Sequence, residues 1–214
     1  MKDYFWGSKE KDTTDPSDPI SVHEYASETK AHSSTDNNVV EVSHNRIYFY
    51  SGVTRPKILQ LNKNIFNLNV NMISKTSALE YDPPPIKLHI NSYGGSVFAG
   101  LAAVDYIKNS KIPVHTVIDG CAASAATLMS CVAERRFMHK NACMLVHQLS
   151  GVMWGKFQEM QDDMQNSEML MEKIKNIYRQ HTKIPKKEMD NILKHDLWWE
   201  ADKCLEYGLV DELI

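Results

Sequence analysis

Cysteine is scarce in this chain. The four present, Cys121, Cys131, Cys143 and Cys204, form no C-x-x-C pair and have no histidine at zinc-ligand spacing. A disulfide framework and a structural zinc site are therefore both excluded. Free thiols in a reducing compartment, and hence a cytoplasmic protein, are the expectation. Charge of one sign is also lacking: 24 Lys and Arg stand against 27 Asp and Glu, a net charge of -3. That balance does not make a nucleic-acid surface, which needs clustered cations. No apolar run approaches the ~18 residues of a membrane span. Residues 1–8 contain no apolar h-region, so neither a membrane helix nor a secretory signal is expected. Gly94-Gly95-Ser96 fits neither G-x-x-x-x-G-K-[ST] nor G-x-G-x-x-G, which argues against a nucleotide site in this chain.

What is present is a hydrophobic fraction of 43% over 214 residues. That suffices for one domain with its own core and no covalent staples. Residues 1–43 differ from the rest. Asp12-Thr13-Thr14-Asp15-Pro16-Ser17-Asp18-Pro19 and Ser33-Ser34-Thr35-Asp36-Asn37-Asn38 bury too little apolar surface to offset ordering entropy, so a disordered polar arm is expected there. The domain is expected over residues 44–214. Arg46 to Tyr50 is β-rich, and a helix or loop is expected through Ile65 to Ile73. Ile86 to Ile90 reads as a strand ending in a glycine turn, and Val97 to Lys108 is apolar at helical spacing. Val114 to Ile118 is the next strand, Ala122 to Val132 an Ala-rich helix, and Met138 to Val146 contains a third strand. Strand, glycine turn and helix in alternation predict right-handed crossover units. Sites in such folds lie at the carboxyl ends of strands. Further on, a long amphipathic helix is predicted from Gly155 to about Thr182, with Phe157, Met160, Met164, Leu170, Met171 and Ile174 as its stripe. A short helix from Pro185, and a last one from Glu200 closed by Gly208, follow.

Gly120-Cys121-Ala122-Ala123-Ser124-Ala125-Ala126 places a serine among small residues where a strand feeds a helix. Small neighbours let a substrate backbone approach, and a helix start offers unpaired N–H groups. The competing reading of Ser124 is an ordinary N-cap, and on capping preference alone it is the commoner one. A nucleophilic serine needs a base. Of nine histidines, His147 is the best placed, at the end of the apolar run Met144-Leu145-Val146. His89 and His115 lie inside strands; His139, His181 and His195 sit in charged surroundings. The base needs an orienting carboxylate, and spacing does not choose one among 27 acidic residues. Asp196 is attractive because Leu197-Trp198-Trp199 follows and would shield it from water. Cys121 reads as a small core residue rather than a reactive thiol.

Four segments in order, Ile90-Asn91-Ser92-Tyr93-Gly94-Gly95-Ser96-Val97, Gly120-Cys121-Ala122-Ala123-Ser124, Val146-His147-Gln148 and Glu206-Tyr207-Gly208-Leu209-Val210-Asp211, resemble the proteolytic subunit family of the Clp protease. The resemblance runs from about Arg46 to Ile214. It implies an α/β fold, the ClpP/crotonase-like spiral of repeated β-β-α units with a protruding long handle helix. It also implies a serine endopeptidase acting on unfolded proteins and short peptides through an acyl-enzyme. By this resemblance Ser124 is the nucleophile, His147 the base and Asp196 the acid, and the backbone N–H groups of Gly94 and Ala125 form the oxyanion hole. No cofactor or metal is implied for this chain; ATP would be used only by a separate AAA+ unfoldase partner. The implied assembly is a homo-oligomer of two stacked heptameric rings, with no nucleic acid and no membrane as partner.

The sequence departs from the family at Leu149, where proline is common, at Ser150-Gly151, where two glycines are common, and at Glu200, where a small hydroxyl residue is usual. Residues 1–43 do not resemble the family's N-terminal axial loop. Two other readings compete. A catalytically weak ring or scaffold subunit would lack a working triad. A crotonase-like acyl-thioester enzyme shares the spiral fold and a backbone oxyanion hole but has no need of a serine nucleophile.

Overall fold

The computed structural model describes residues 39–77 and 80–214. Strands β1 (Val39–Ser43) and β2 (Arg46–Tyr50) form an antiparallel hairpin. Then follow α1 (Arg55–Ser77), β3 (Ile86–Ser92), α2 (Val97–Lys108), β4 (Val114–Ala123), α3 (Ala125–Cys131), β5 (Arg135–Met138) and β6 (Cys143–Leu145). The long α4 (Phe157–His181), α5 (Lys186–Leu193), β7 (Trp198–Glu200), α6 (Ala201–Glu206) and β8 (Glu212–Leu213) complete the described chain. The sheet order is β1-β2-β3-β4-β5-β8, and β6 pairs with both β4 and β7. Strands β2 to β5 and β8 run parallel. Helices α1, α2 and α3 cross over between successive strands, as the alternating pattern predicts for a mixed α/β fold.

The sheet has one dry face. Along β3, Ile86, Leu88, Ile90 and Ser92 are buried, while Lys87, His89 and Asn91 between them are only half-buried. Burying each such aliphatic side chain contributes about 1.5–3 kcal/mol. Helix α2 occupies the residues its periodicity predicts, and Ser96 caps it by accepting a bond from the Ala99 N–H at 3.4 Å.

Three expectations need amendment. Residues 39–43, assigned to the polar arm, form β1. Val40 is buried, and its carbonyl accepts a bond from Gln60 Nε2 at 2.9 Å, which ties the strand to α1. Residues 1–38 of the expected arm lie outside the described residues. Strand β4 runs on through Asp119 and Gly120 to Ala123, so the helix after it starts at Ala125 rather than Ala122. The segment Arg135–Leu145 holds two strands, β5 and β6, separated by a turn at residues 139–142.

Helix α4 spans about 37 Å at 1.5 Å per residue. Its stripe does not behave uniformly. Leu170, Ile174 and Tyr178 are buried, and the Tyr178 hydroxyl lies 2.6 Å from Thr127 Oγ1 on α3. Phe157, Met160 and Met164, in the first eight residues, are exposed. The helix is therefore anchored in the core by its second half, while the first half buries Asp163 but leaves its large apolar side chains exposed.

Candidate active site

Ser124 stands between the last residue of β4 and the first of α3, with φ 58° and ψ -128°. A positive φ is costly for a residue with a Cβ and persists only where surroundings over-determine it. Here the Ser124 N–H donates to Leu145 O at 2.9 Å, and the Ser124 carbonyl accepts from both the Thr127 N–H (2.9 Å) and Thr127 Oγ1 (2.6 Å). The capping reading fails: the Ser124 side chain makes no cap bond, and its Oγ is buried without a hydrogen-bond partner among the described residues. Thr127, three residues on, was not singled out in the sequence. Its hydroxyl holds the strained turn from behind.

Two strand registers bring the histidine and the carboxylate here. Strand β6 pairs parallel with β4 (Ala123↔Leu145), so the residues just after β6 emerge beside Ser124. Strand β7 pairs antiparallel with β6 (Met144↔Trp199, Leu145↔Trp198), and continuing that register sets position 147 opposite position 196. His147 Nδ1 accordingly lies 2.7 Å from Asp196 Oδ1. Facing a carboxylate, Nδ1 carries the proton, which leaves Nε2 as the basic nitrogen. The next residue is pinned as well, since the Gln148 N–H donates to Leu193 O at 2.7 Å. Burial lowers the His147 pKa below its ordinary value, and the Asp196 charge and hydrogen bond only partly offset this. The imidazole is thus neutral, and able to accept a proton, at neutral pH.

The expected shielding of Asp196 is not found. Its side chain is 55% exposed, because β7 turns Trp199 into the core against Met144 and leaves Asp196 and Leu197 on the outer loop. Trp198 instead meets Tyr93 edge to face, with ring centroids 6.3 Å apart.

Gly94 packs directly against the serine. A Cβ on it would lie 2.6 Å from Ala123 O and 2.7 Å from Ser124 Cβ, and its φ is +90°, so only glycine fits. Its N–H donates to Ser92 Oγ at 3.2 Å. Gly95 forms a parallel bridge with Val53, in which the Val53 N–H donates to Gly94 O (2.7 Å) and the Ser96 N–H to Val53 O (2.8 Å). The Gly95 N–H therefore points away from Val53. Ala125, as the first residue of α3, has an N–H with no acceptor one turn back. Cys121 is protonated, its pKa pushed up to about 11 by burial. Of the other histidines, His89 is bonded to Asp119 and His139 lies near the same carboxylate, away from Ser124. Among the described residues no group of side chains has the arrangement of a metal site, and no helix is long and apolar enough to cross a membrane.

The Clp protease family model matches residues 42–214. The ATP-dependent Clp protease proteolytic subunit 1 of Chlamydia caviae is 31% identical over 175 residues, which cover 79% of this chain and 86% of that protein. The structure of a ClpP1 mutant from Listeria monocytogenes superposes with a TM-score of 0.69 at 24% identity, covering 80% of this chain and 91% of that one.

Proposed function

This chain belongs to the Clp protease family and is a Clp-type serine peptidase subunit, and from that premise we propose that Ser124, His147 and Asp196 perform its chemistry as a triad. Ser124 Oγ attacks the scissile carbonyl while His147 Nε2 takes its proton, giving a tetrahedral oxyanion. The imidazolium then protonates the leaving amine as the C–N bond breaks, and an acyl-serine remains. Water, deprotonated by the same nitrogen, releases the acid and restores the serine. Asp196 holds the Nδ1–H tautomer and balances the transient positive charge.

The observation that carries this reading is the combination of a 2.7 Å His147–Asp196 contact with a strained, uncapped, buried serine at the turn that ends the adjoining strand β4. The oxyanion would be taken by the N–H groups of Gly94 and Ala125. Because the Gly94 N–H is already donated to Ser92 Oγ, binding there requires that bond to be exchanged. Gly95, whose N–H faces away from Val53, is the second donor the same turn offers.

The family implies a ring oligomer that works with Clp ATPases. The finer reading is two stacked heptamers joined through the first half of α4, where Phe157 and Met164 are both more than half exposed, and through Trp154 just before it, which is also more than half exposed. Apolar surface of that kind marks a contact between proteins. Enclosed active sites would admit unfolded chains and short peptides, and an AAA+ unfoldase would supply folded substrates. Catalysis would need no cofactor in this chain, and the enzyme would work in the cytoplasm.

Ser124→Ala tests the core of the reading. Peptidase turnover should fall by on the order of 10⁶-fold, the loss seen when a serine triad loses its nucleophile, and covalent labelling by a fluorophosphonate should vanish. A Ser124→Ala protein that still cleaves peptides and still takes the probe would falsify it.

A further inference from the structure

Strands β3 and β4 lose register just before the active site. Ile90 pairs with Ile118, but Ser92 pairs with Ala122, so two steps along β3 face four along β4. The bulge adds two residues to β4. Without them Gly94 would lie opposite Ala122, and Ser124 would be carried about 6.6 Å past it, at ~3.3 Å per strand residue. With them, Ser124 Cβ lies against Gly94. Bulges beside active sites commonly re-aim a side chain, and this one aims the serine.

The bulge begins at Asp119, and three elements besides β4 converge on that side chain. From β2, Tyr50 Oη donates to Asp119 Oδ2 at 2.6 Å. From β3, His89 Nδ1 lies 3.0 Å from both carboxylate oxygens, with Tyr48 stacked on its ring. After β5, His139 Nε2 lies 3.4 Å from Oδ1. Burial alone would raise the Asp119 pKa, but the bonds from His89 and Tyr50 take it below its ordinary value. Tyr50 is pushed up to about 12, by burial first and then by its bond to Asp119. The carboxylate is therefore ionised and the phenol is its donor. His89 Nε2 is left buried with no hydrogen-bond partner among the described residues, a costly arrangement that indicates the ring is held for its Nδ1 contact. The far side of the bulge is filled by Asn91. Its Oδ1 accepts from Cys121 Sγ at 3.4 Å, and its side chain leaves no room for a Cβ at Gly120 beyond tight contact.

We propose that Asp119 is a positioning residue for the peptidase reaction: by tying the bulge of β4 to β2, β3 and the end of β5, it sets Ser124 against Gly94. The inference rests on Ser124 being the nucleophile. Asp119 itself does not touch the reacting atoms, so its loss slows attack without weakening substrate binding.

The test compares Asp119→Leu, Asp119→Asn, Tyr50→Phe and His139→Gln, with Lys87→Ala as a control on the same sheet face outside the network. The full chain is used, with thermal unfolding and native mass checked for each variant. Asp119→Leu should slow fluorophosphonate labelling of Ser124 and kcat on a short peptide by roughly tenfold, a loss in keeping with a small misplacement of a reacting group, while KM stays within about twofold. Asp119→Asn keeps an acceptor and should recover to within about threefold of the wild type; Tyr50→Phe should fall between. Should Asp119→Leu fail to fold, Tyr50→Phe and His139→Gln, on the network's exposed edge, decide the matter. Folded variants that label at the wild-type rate overturn the role of Asp119 alone, as does an Asn variant no better than Leu. A wild-type protein labelled elsewhere than Ser124 overturns the triad reading as well.

Discussion

His147 and Asp196 meet at 2.7 Å although 49 residues separate them and the carboxylate is more exposed than the imidazole, 55% against 14%. The contact is made by register, since β6 and β7 pair antiparallel immediately before it. An exposed carboxylate in water is a weak electrostatic partner. Its main value here lies in fixing the tautomer, with its charge a smaller contribution.

That distinction is measurable. Asp196→Asn should favour the wrong tautomer and cut kcat by roughly 10⁴-fold, as in other serine triads. Asp190, which pairs with Lys175 at 2.7 Å on the neighbouring helix, serves as the comparison, and Asp190→Asn should leave kcat within about twofold because exposed ion pairs contribute little. Equal losses at both positions would remove Asp196 from its role.

The pH profile follows from the burial of His147. Its folded pKa is below the ordinary value of 6.5, and the base must be neutral to act. Activity should hold through pH 7 and fall only as pH drops below 6.5 through the folded pKa. Asp196 raises that pKa, so the residual activity of Asp196→Asn should fall at still lower pH. Stability has the same sign. The unfolded chain binds the proton first, so stability present above 6.5 is lost as pH falls toward the folded value. An acid limb centred above 6.5 in kcat/KM would contradict the assignment.

Gly94→Ala tests the approach of the glycine turn to the serine. The added methyl would meet Ala123 O at 2.6 Å and Ser124 Cβ at 2.7 Å, on a backbone with φ +90°. Destabilisation by ~1–3 kcal/mol is expected from the strained backbone, together with loss of fluorophosphonate labelling. Gly151→Ala, where a Cβ meets nothing within 4 Å, should be silent in unfolding and labelling assays.

Assembly is best probed on the exposed half of α4. Ile174 is buried, so a charge there would damage the core and report nothing about contacts. Phe157→Glu with Met164→Glu alters only exposed positions. In sedimentation the double variant should run at about half the wild-type mass, with lower peptidase activity and an unchanged unfolding midpoint; surface substitutions usually change stability by less than ~0.5 kcal/mol. A double variant of full mass and full activity would place the contact elsewhere.

The sequence by itself determined whatever local spacing encodes. The apolar period of Val97–Lys108, the glycine turn at Gly94-Gly95 and the Gly208 helix end, with φ +64°, are each decided by a few adjacent residues. The serine among small residues and the histidine after an apolar strand were legible for the same reason. Tertiary structure decided what depends on partners distant in the chain. Val39–Ser43 is a strand because β2 pairs with it. Leu170 and Ile174 are buried while Phe157 and Met164 are not, because only the second half of α4 reaches the core. That Asp196, rather than another carboxylate, meets His147 comes from the β6–β7 register, and the alignment of Ser124 with Gly94 from a two-residue bulge. Helix periodicity is a property of neighbours at three and four residues, whereas strand register is a relation between segments that no local pattern records.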